Sequence, residues 1–195
     1  KMSYLHFCAT ETYRQRIIQM GEDPARVFNT GAPGIDNIKN LNLLTKKILE
    51  KELNWKLTSK SALFTYHPVT LKNNNISNDL EAVLSILEQF DFNILFTYAN
   101  ADKGGRLINQ KIEEFCKIQP AKYKVVKSLG QVKYLSAMKY VDLLIGNTSS
   151  GIIEAASFKK PVVNIGDRQK GRLKGENVID CNLNTLQESI KLALS

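Results

Sequence analysis

The residues best suited to chemistry in this chain of 195 residues follow a short apolar run. The run from Val141 to Ile145 indicates a buried strand, and Gly146, three small hydroxyl residues at 148–150 and a predicted helix come after it. The free N–H groups and the dipole at a helix N-terminus favour a bound anion. Glu154 lies about one helical turn further on, where its carboxylate can reach a neutral polar group beside that anion. Phosphate on the amides and a sugar hydroxyl on the carboxylate form the pattern of a nucleotide site.

The same loop also has a purely structural interpretation, in which Thr148 or Ser149 caps the helix and Glu154 is a surface charge. The loop alone leaves both interpretations open. Other kinds of site have less support, because the chain has no Walker pattern and no Gly-x-Gly-x-x-Gly run after its first strand. It also lacks a Ser/His/Asp set at a nucleophile elbow.

Further polar residues follow other apolar runs. His67 comes at the end of one predicted strand, where it can donate to a phosphate or act as an acid on a leaving group. Asn100 and the pair Gly104–Gly105 follow the next strand and can approach a base or a phosphate closely. Arg168 or Arg172, in a basic loop with glycines, can pair with a diphosphate through a forked contact, although such a loop is also an ordinary exposed surface.

The elements that carry these residues alternate between strands and helices. The predicted strands span 7–9, 27–30, 62–66, 92–98, 123–126, 141–145, 161–165 and 178–180. The predicted helices span 10–20, 41 to about 52, 79–90, 106–117, 131–139, 150–158 and 183–194. Continuously apolar strands between helices predict an α/β fold, a Rossmann-like parallel sheet with helices on both faces. Ligands of such sheets bind beyond the carboxyl ends of the strands, so the flagged loops are expected to share one cleft.

Composition narrows the possible partners. The formal net charge is +8, but the lysines are scattered, so we expect no nucleic-acid partner. No apolar run is long enough for a membrane span, and we expect no membrane partner. The three cysteines are odd in number and far apart, which favours a reducing cytoplasm and argues against a zinc site or a disulfide framework.

Several stretches together resemble one family, the UDP-N-acetylglucosamine 2-epimerases, and most closely the hydrolysing branch that supplies sialic acid synthesis. The most specific stretch is the block 146–178, with Gly146-Asn147-Thr148-Ser149-Ser150-Gly151, then Gly166-Asp167-Arg168-Gln169-Lys170-Gly171-Arg172, and then Gly175-Glu176-Asn177-Val178. Supporting stretches are Thr10–Arg14, Gly21–Pro24, Phe28–Gly31 and Tyr66-His67-Pro68-Val69-Thr70. The similarity runs from about residue 6 to residue 180.

The resemblance implies the C-terminal half of a GT-B architecture, in which two Rossmann-like domains enclose the active site. Residues 1–30 would be a remnant of the N-terminal domain, its last strand and helix, and 31–195 the UDP-binding domain. The abrupt start of the chain then suggests a fragment whose earlier half is missing. The Gly/Pro cluster at 31–34 is the predicted boundary. The family also implies a homo-oligomer formed through the full-length protein and no cofactor or metal.

The resemblance also assigns roles to residues of this chain. Thr148 and Ser149 match positions that hold the diphosphate, and Glu154 matches the carboxylate that binds the ribose hydroxyls. Arg168 matches an arginine of the nucleotide site. Asn100 matches a polar contact near the nucleotide. His67 matches a histidine beside the diphosphate, and it is also the one candidate for a catalytic residue. The acidic residues credited with the sugar chemistry lie in the other half, so the chain alone is expected to bind UDP without turnover.

Three other functions stay open on the sequence. A GT-B glycosyltransferase would share the diphosphate site and the ribose glutamate, although the block from Asp167 to Gly175 argues against it. A hydrolysing epimerase of a UDP-diacetamido-trideoxyhexose would differ mainly in the sugar pocket. A non-catalytic module that binds nucleotides or nucleic acid has the least support, because the positive charge is scattered.

Overall fold

The structure, a computed structural model, describes residues 3–58, 60–68 and 76–195. Val69 and Thr70 of the family-like stretch therefore lie outside the described residues. The chain divides into two compact units, one up to Leu41 and one from Asn42 to Ser195. Among the described residues, no helix combines the length and the apolar character that crossing a membrane requires.

The first unit contains two short parallel strands and two helices. In order they are β1 (His6–Cys8), α1 (Glu11–Gln19), a 3₁₀ turn (Pro24–Arg26), β2 (Val27–Asn29) and α2 (Pro33–Asn40). The predicted cap of α1 is confirmed, because the Thr10 hydroxyl accepts the backbone N–H of Tyr13 at 3.2 Å. Helix α2 was not predicted. Its first residue is Pro33, whose fixed φ and missing N–H suit the first helical position.

The compact first unit ends later in the chain than the predicted domain boundary, because it includes helix α2. The predicted boundary at residues 31–34 coincides with the start of α2, whereas the compact first unit extends to Leu41. The assignment of the first unit to a separate N-terminal domain stays a prediction.

The second unit is built from six strands and six helices among the described residues. Its strands are β3 (Ser61–Thr65), β4 (Asn93–Thr97), β5 (Tyr123–Val126), β6 (Leu143–Gly146), β7 (Val162–Ile165) and β8 (Val178–Cys181). Its helices are α3 (Lys46–Leu53), α4 (Ile76–Glu88), α5 (Gly105–Ile118), α6 (Gly130–Tyr140), α7 (Ser149–Ile153) and α8 (Leu186–Ala193).

These six strands form one parallel sheet in the order β5-β4-β3-β6-β7-β8. Counted within the unit this is the 3-2-1-4-5-6 order of a Rossmann fold, which confirms the predicted fold class. The direction of winding reverses between β3 and β6, so the segments that follow these two strands run in opposite directions and border a crevice. Thr65 pairs with Gly146 at that point, and the residues after them border the crevice.

Hydrophobic clusters cover both faces of this sheet. Side chains of successive strand residues alternate between the faces, as Leu63 and Phe64 do. On the face of Phe64, helices α4, α5 and α8 contribute Leu84, Ile112 and Ile190. On the face of Leu63, helices α3 and α6 contribute Leu49 and Met138 to the second cluster. Burial on both faces explains why the strands are continuously apolar.

Candidate functional site

The site begins where β3 and β6 lie side by side. At Gly146 the backbone has φ +136°, and a Cβ placed there would lie 1.9 Å from the carbonyl oxygen of Thr65. The next residue, Asn147, then donates its backbone N–H to that same oxygen at 3.1 Å. Glycine at 146 therefore lets the chain turn away from the sheet while it stays in contact with β3.

Asn147 joins the two loops that leave these strands. Its side chain is fully buried. The Oδ1 atom accepts the backbone N–H of His67 at 2.7 Å, and Nδ2 donates to the carbonyl oxygen of His67 at 2.9 Å. This two-way amide contact fixes the backbone of His67 at the crevice, a role that the sequence did not assign to Asn147.

The imidazole of His67 is held as a neutral hydrogen-bond donor. Its Nδ1 atom accepts the backbone N–H of Asn100 at 3.1 Å, so the remaining proton is on Nε2. Burial and, to a smaller extent, the charge of Arg168 lower the pKa of His67 from 6.5 to about 4, and the charge of Asp102 opposes both. At neutral pH the Nε2–H group can therefore donate to an anion without a charge on the ring.

This depressed pKa predicts acid sensitivity. Above pH 6.5 the ring is neutral in the folded and unfolded chain alike; between pH 6.5 and about 4 only the unfolded chain takes up the proton. Stability should then fall by about 1–2 kcal/mol as the pH drops through that window, after allowance for the partial exposure of the ring. Urea unfolding at pH 7 and at pH 4.5, followed by the fluorescence of the single tryptophan, Trp55, measures the loss.

The variant His67→Gln should lose less stability over this interval than the parent chain. The matched control is His6→Gln, because His6 is the only other histidine and lies in the first unit. An equal acid loss in the parent and in His67→Gln would show that other groups cause it.

Two side chains of the loop after β7 converge on the carbonyl oxygen of Asn147. Arg168 donates from Nη1 at 3.1 Å, and Gln169 donates from Nε2 at 2.7 Å. Gln169 is only 1 % exposed, and it is a site residue that the sequence did not predict. Arg172, the other arginine considered, is exposed, so the structure favours Arg168 as the member of the site.

The helix after β6 is shorter than predicted. Thr148 is its cap and accepts the backbone N–H of Ser150 at 3.4 Å, which agrees with the structural interpretation of the loop. The α-helix ends at Ile153, and a 3₁₀ turn, Ala155–Phe158, replaces the rest of the predicted helix 150–158. Glu154 lies at the junction of the two.

Glu154 is not the surface charge that the structural interpretation requires. The residue is half-buried, and its Oε2 atom is buried without a hydrogen-bond partner among the described residues. Burial raises the pKa of this carboxyl, while its own backbone N–H and the hydroxyl of Ser150 act in the opposite direction. A buried carboxylate oxygen without a donor is costly, and a ligand hydroxyl would supply the missing donor.

The loop after β4 is held together by its own contacts. The side-chain amide of Asn100 donates to Asp102 at 2.5 Å, and its backbone N–H reaches His67. A Cβ on Gly105 would lie 2.2 Å from the carbonyl oxygen of Asn100. The close approach that the sequence suggested for Gly104–Gly105 is therefore made to the chain itself.

A cleft of about 360 Å³ lies at this carboxyl edge. His67 and Thr148 line it, together with the segment 127–131 that leads into α6. Tyr134 and Ser150 lie further along its wall. The volume is within the range of small-molecule sites, about 300–1,000 Å³. The structure thus joins His67, Asn100 and Arg168 by hydrogen bonds and charge, and it places Thr148 in the same cleft.

Comparisons with known proteins agree on one family. The family model for UDP-N-acetylglucosamine 2-epimerase matches residues 1–195. The chain is 45% identical over 192 residues to the GDP/UDP-N,N'-diacetylbacillosamine 2-epimerase (hydrolyzing) of Campylobacter jejuni, covering 98% of this chain and 50% of that protein. It is 36% identical over 183 residues to the UDP-N,N'-diacetylbacillosamine 2-epimerase (hydrolyzing) of Legionella pneumophila, covering 94% and 48%.

Among solved structures, the chain is similar to the UDP-GlcNAc 2-epimerase of Methanocaldococcus jannaschii in complex with UDP-GlcNAc and UDP. The TM-score is 0.75 at 19% identity, over 99% of this chain and 55% of that one. At this identity the likeness establishes the fold. The chain spans about half the length of these relatives.

Proposed function

The chain belongs to the UDP-N-acetylglucosamine 2-epimerase family, and on that premise we propose that it is the UDP-binding, C-terminal half of a hydrolysing UDP-sugar 2-epimerase. The observation that carries the proposal is the assembly at the crevice between β3 and β6. There Asn147 ties the loop of His67 to the loop of Arg168 through hydrogen bonds of 2.7 to 3.1 Å. The crevice at the switch point is where Rossmann-type sheets bind nucleotides.

The diphosphate of UDP would occupy the positive side of this crevice. Thr148 and Ser149 lie at the start of α7 with their backbone N–H groups near the helix end. Arg168 supplies the fixed positive charge, and the neutral ring of His67 donates from Nε2. A neutral donor and a fixed arginine suit phosphate binding better than proton delivery, so the catalytic role of His67 stays a prediction.

The ribose would lie against Glu154, whose buried Oε2 atom has no hydrogen-bond partner among the described residues and would accept from the sugar hydroxyls. Asn100, whose backbone N–H donates to the ring of His67, would be a polar contact near the nucleotide.

The proposed reaction of the full enzyme starts with removal of the proton at C2 of the sugar. Elimination of UDP from C1 then gives a glycal, and addition of water to the glycal releases the 2-epimeric free sugar. The acidic residues that the resemblance credits with these steps lie outside this chain. The site residues of this chain would bind UDP and stabilise its negative charge as it leaves.

The substrate named by the resemblance is UDP-N-acetylglucosamine, with N-acetylmannosamine as the product for sialic acid synthesis. A second candidate is a UDP-diacetamido-trideoxyhexose. The names of the relatives at 45% and 36% identity favour this sugar, although the first of them names both GDP and UDP as the nucleotide. The family match favours either epimerase over a glycosyltransferase. The homo-oligomer, the cytoplasmic location and the lack of a nucleic-acid partner stay predictions.

Calorimetric titration of the chain with UDP, and with GDP as the comparison, tests the proposed site. We expect saturable UDP binding with one site per chain and weaker GDP binding, because a uracil and a guanine differ in size and in their hydrogen-bonding edges. Equal binding of the two nucleotides would support the proposed diphosphate site and contradict a preference for uridine. If neither nucleotide binds, the chain is not a UDP-binding half.

A further inference from the structure

Tyr134 presents a buried hydroxyl that the fold does not use. The residue lies in the middle of α6 and lines the cleft, with part of its ring exposed there. Its hydroxyl oxygen is buried and makes no hydrogen bond within the described part of the chain. The hydroxyls of Thr65, Thr148 and Ser150 lie near it without the geometry of a hydrogen bond. Among the described residues, this phenol has a proton to donate and makes no hydrogen bond to an acceptor.

Glu154 is connected to this part of the cleft through Ser150, which lines the cleft together with Tyr134 and whose carbonyl oxygen accepts the backbone N–H of Glu154 at 2.9 Å. The carboxylate charge acts on the pKa of Tyr134, and the hydroxyl of Ser150 lies close to both side chains. The two orphaned atoms are chemically opposite, because the phenol can donate a hydrogen bond and the carboxylate can only accept one. A group that satisfies both must accept on one side and donate on the other.

A sugar hydroxyl is such a group, and a phosphate oxygen is not. A phosphate could accept from Tyr134, but it has no proton for Glu154, and the two negative charges would repel each other in a half-buried setting. This inference rests on the function proposed above. We propose that one ribose hydroxyl of the bound nucleotide accepts a hydrogen bond from Tyr134 and donates one to Glu154. Tyr134 is then a binding residue that discriminates against nucleotides that lack this hydroxyl.

The protonation state of the phenol fits this role. Burial raises the pKa of Tyr134, and the charge of Glu154 raises it further, whereas the neighbouring hydroxyls lower it. The phenol therefore keeps its proton at neutral pH and remains a donor. An unsatisfied donor of this kind discriminates strongly against a ligand that lacks the matching group.

The test compares UDP with its 2'-deoxy and 3'-deoxy analogues by calorimetric titration of the parent chain and of Tyr134→Phe. The parent should bind one of the two analogues more weakly than UDP, and that analogue identifies the shared hydroxyl. Tyr134→Phe should weaken UDP binding by roughly 3- to 10-fold and leave the affinity for that analogue nearly unchanged. The preference for the ribonucleotide should shrink by the same factor.

Tyr123→Phe is the matched control. Tyr123 also has a buried hydroxyl without a hydrogen bond, but it lies on β5 among the rings of Phe96 and Phe115 and does not line the cleft. Both substitutions remove an unused hydroxyl, so both variants should unfold at urea concentrations no lower than the parent. Only Tyr134→Phe should alter binding.

The outcomes separate this inference from the proposed function. If the parent binds UDP and Tyr134→Phe binds it equally well, the assignment of Tyr134 is wrong and the UDP site stands. A loss of the same factor for UDP and for both analogues would place the phenol near the phosphates or the base, and it would also overturn the ribose contact. Failure of the parent to bind UDP overturns the function and the inference together.

Discussion

The substitution Gly146→Ala is expected to destabilise the second unit by about 3–5 kcal/mol. The added Cβ would lie 1.9 Å from the carbonyl oxygen of Thr65 and 2.7 Å from its carbonyl carbon. These backbone atoms cannot withdraw, because Thr65 pairs with Thr97 on one side and with Gly146 on the other. The backbone at φ +136° is in addition a conformation that alanine rarely adopts. The cost is a large fraction of the 5–15 kcal/mol that stabilises a typical domain.

Urea unfolding followed by Trp55 fluorescence measures this loss, since Trp55 is buried in the same unit and donates to the carbonyl of Ala121 at 3.0 Å. Gly171→Ala is the matched control. Gly171 also has a positive φ, +82°, but a Cβ there would meet no atom within 4 Å. That variant should lose only about 1–2 kcal/mol from backbone strain. Losses of equal size in the two variants would mean that the contact with Thr65 is relieved by a small shift.

The strands of the sheet were predictable because burial on two faces leaves a strong signal. The run 62–66 and the run 123–126 correspond to β3 and β5 with at most a one-residue difference at either end. The start of β6 was placed two residues too early. Val141 caps the C-terminus of α6, and β6 begins only at Leu143. Between them, the side chain of Asp142 accepts the backbone N–H of Ser61 at 2.7 Å.

Helix starts were less predictable where side chains compete for backbone groups. The last helix was expected from Leu183, but the Oδ1 atom of Asn182 accepts the backbone N–H groups of Asn184 and Thr185, at 2.9 and 3.2 Å. This local turn delays the start of α8 to Leu186. Such contacts depend on short-range geometry that an apolar period does not encode.

The polar residues of the site were predictable only in part. His67, Thr148 and Arg168 lie within three residues of the end of an apolar run, and the rule that ligands bind at the carboxyl ends of parallel strands groups them. Gln169 and Tyr134 were missed for another reason. Gln169 matters through a buried hydrogen bond to a backbone carbonyl, and Tyr134 lies inside a helix, where an aromatic residue looks like ordinary core. A sequence shows which residues follow the end of a strand, but it does not show which face of a helix borders the crevice.

The second large effect concerns binding rather than stability. Glu154→Ala should weaken UDP binding by roughly 10- to 100-fold, the range of hydrogen bonds to a charged group. The fold should lose little, because the Oε2 atom has no hydrogen-bond partner among the described residues and burial already disfavours the charged carboxyl. Below the raised pKa of the folded chain the carboxyl is neutral, so any stability gained by the variant should be largest at neutral pH and fade on acidification.

Titration of this variant with UDP and with uridine separates the ribose from the diphosphate. Loss of a ribose contact should lower the affinity for UDP and for uridine by the same factor, since both ligands carry the sugar. Ser149→Ala is the contrast, because a partner of the phosphates should weaken UDP and leave uridine unchanged. If Glu154→Ala binds UDP as tightly as the parent, the buried oxygen has no ligand role. If Glu154→Ala does weaken UDP binding, Glu154→Gln measures how much of that loss is due to the negative charge. The amide keeps the size of the side chain and one acceptor oxygen but carries no charge.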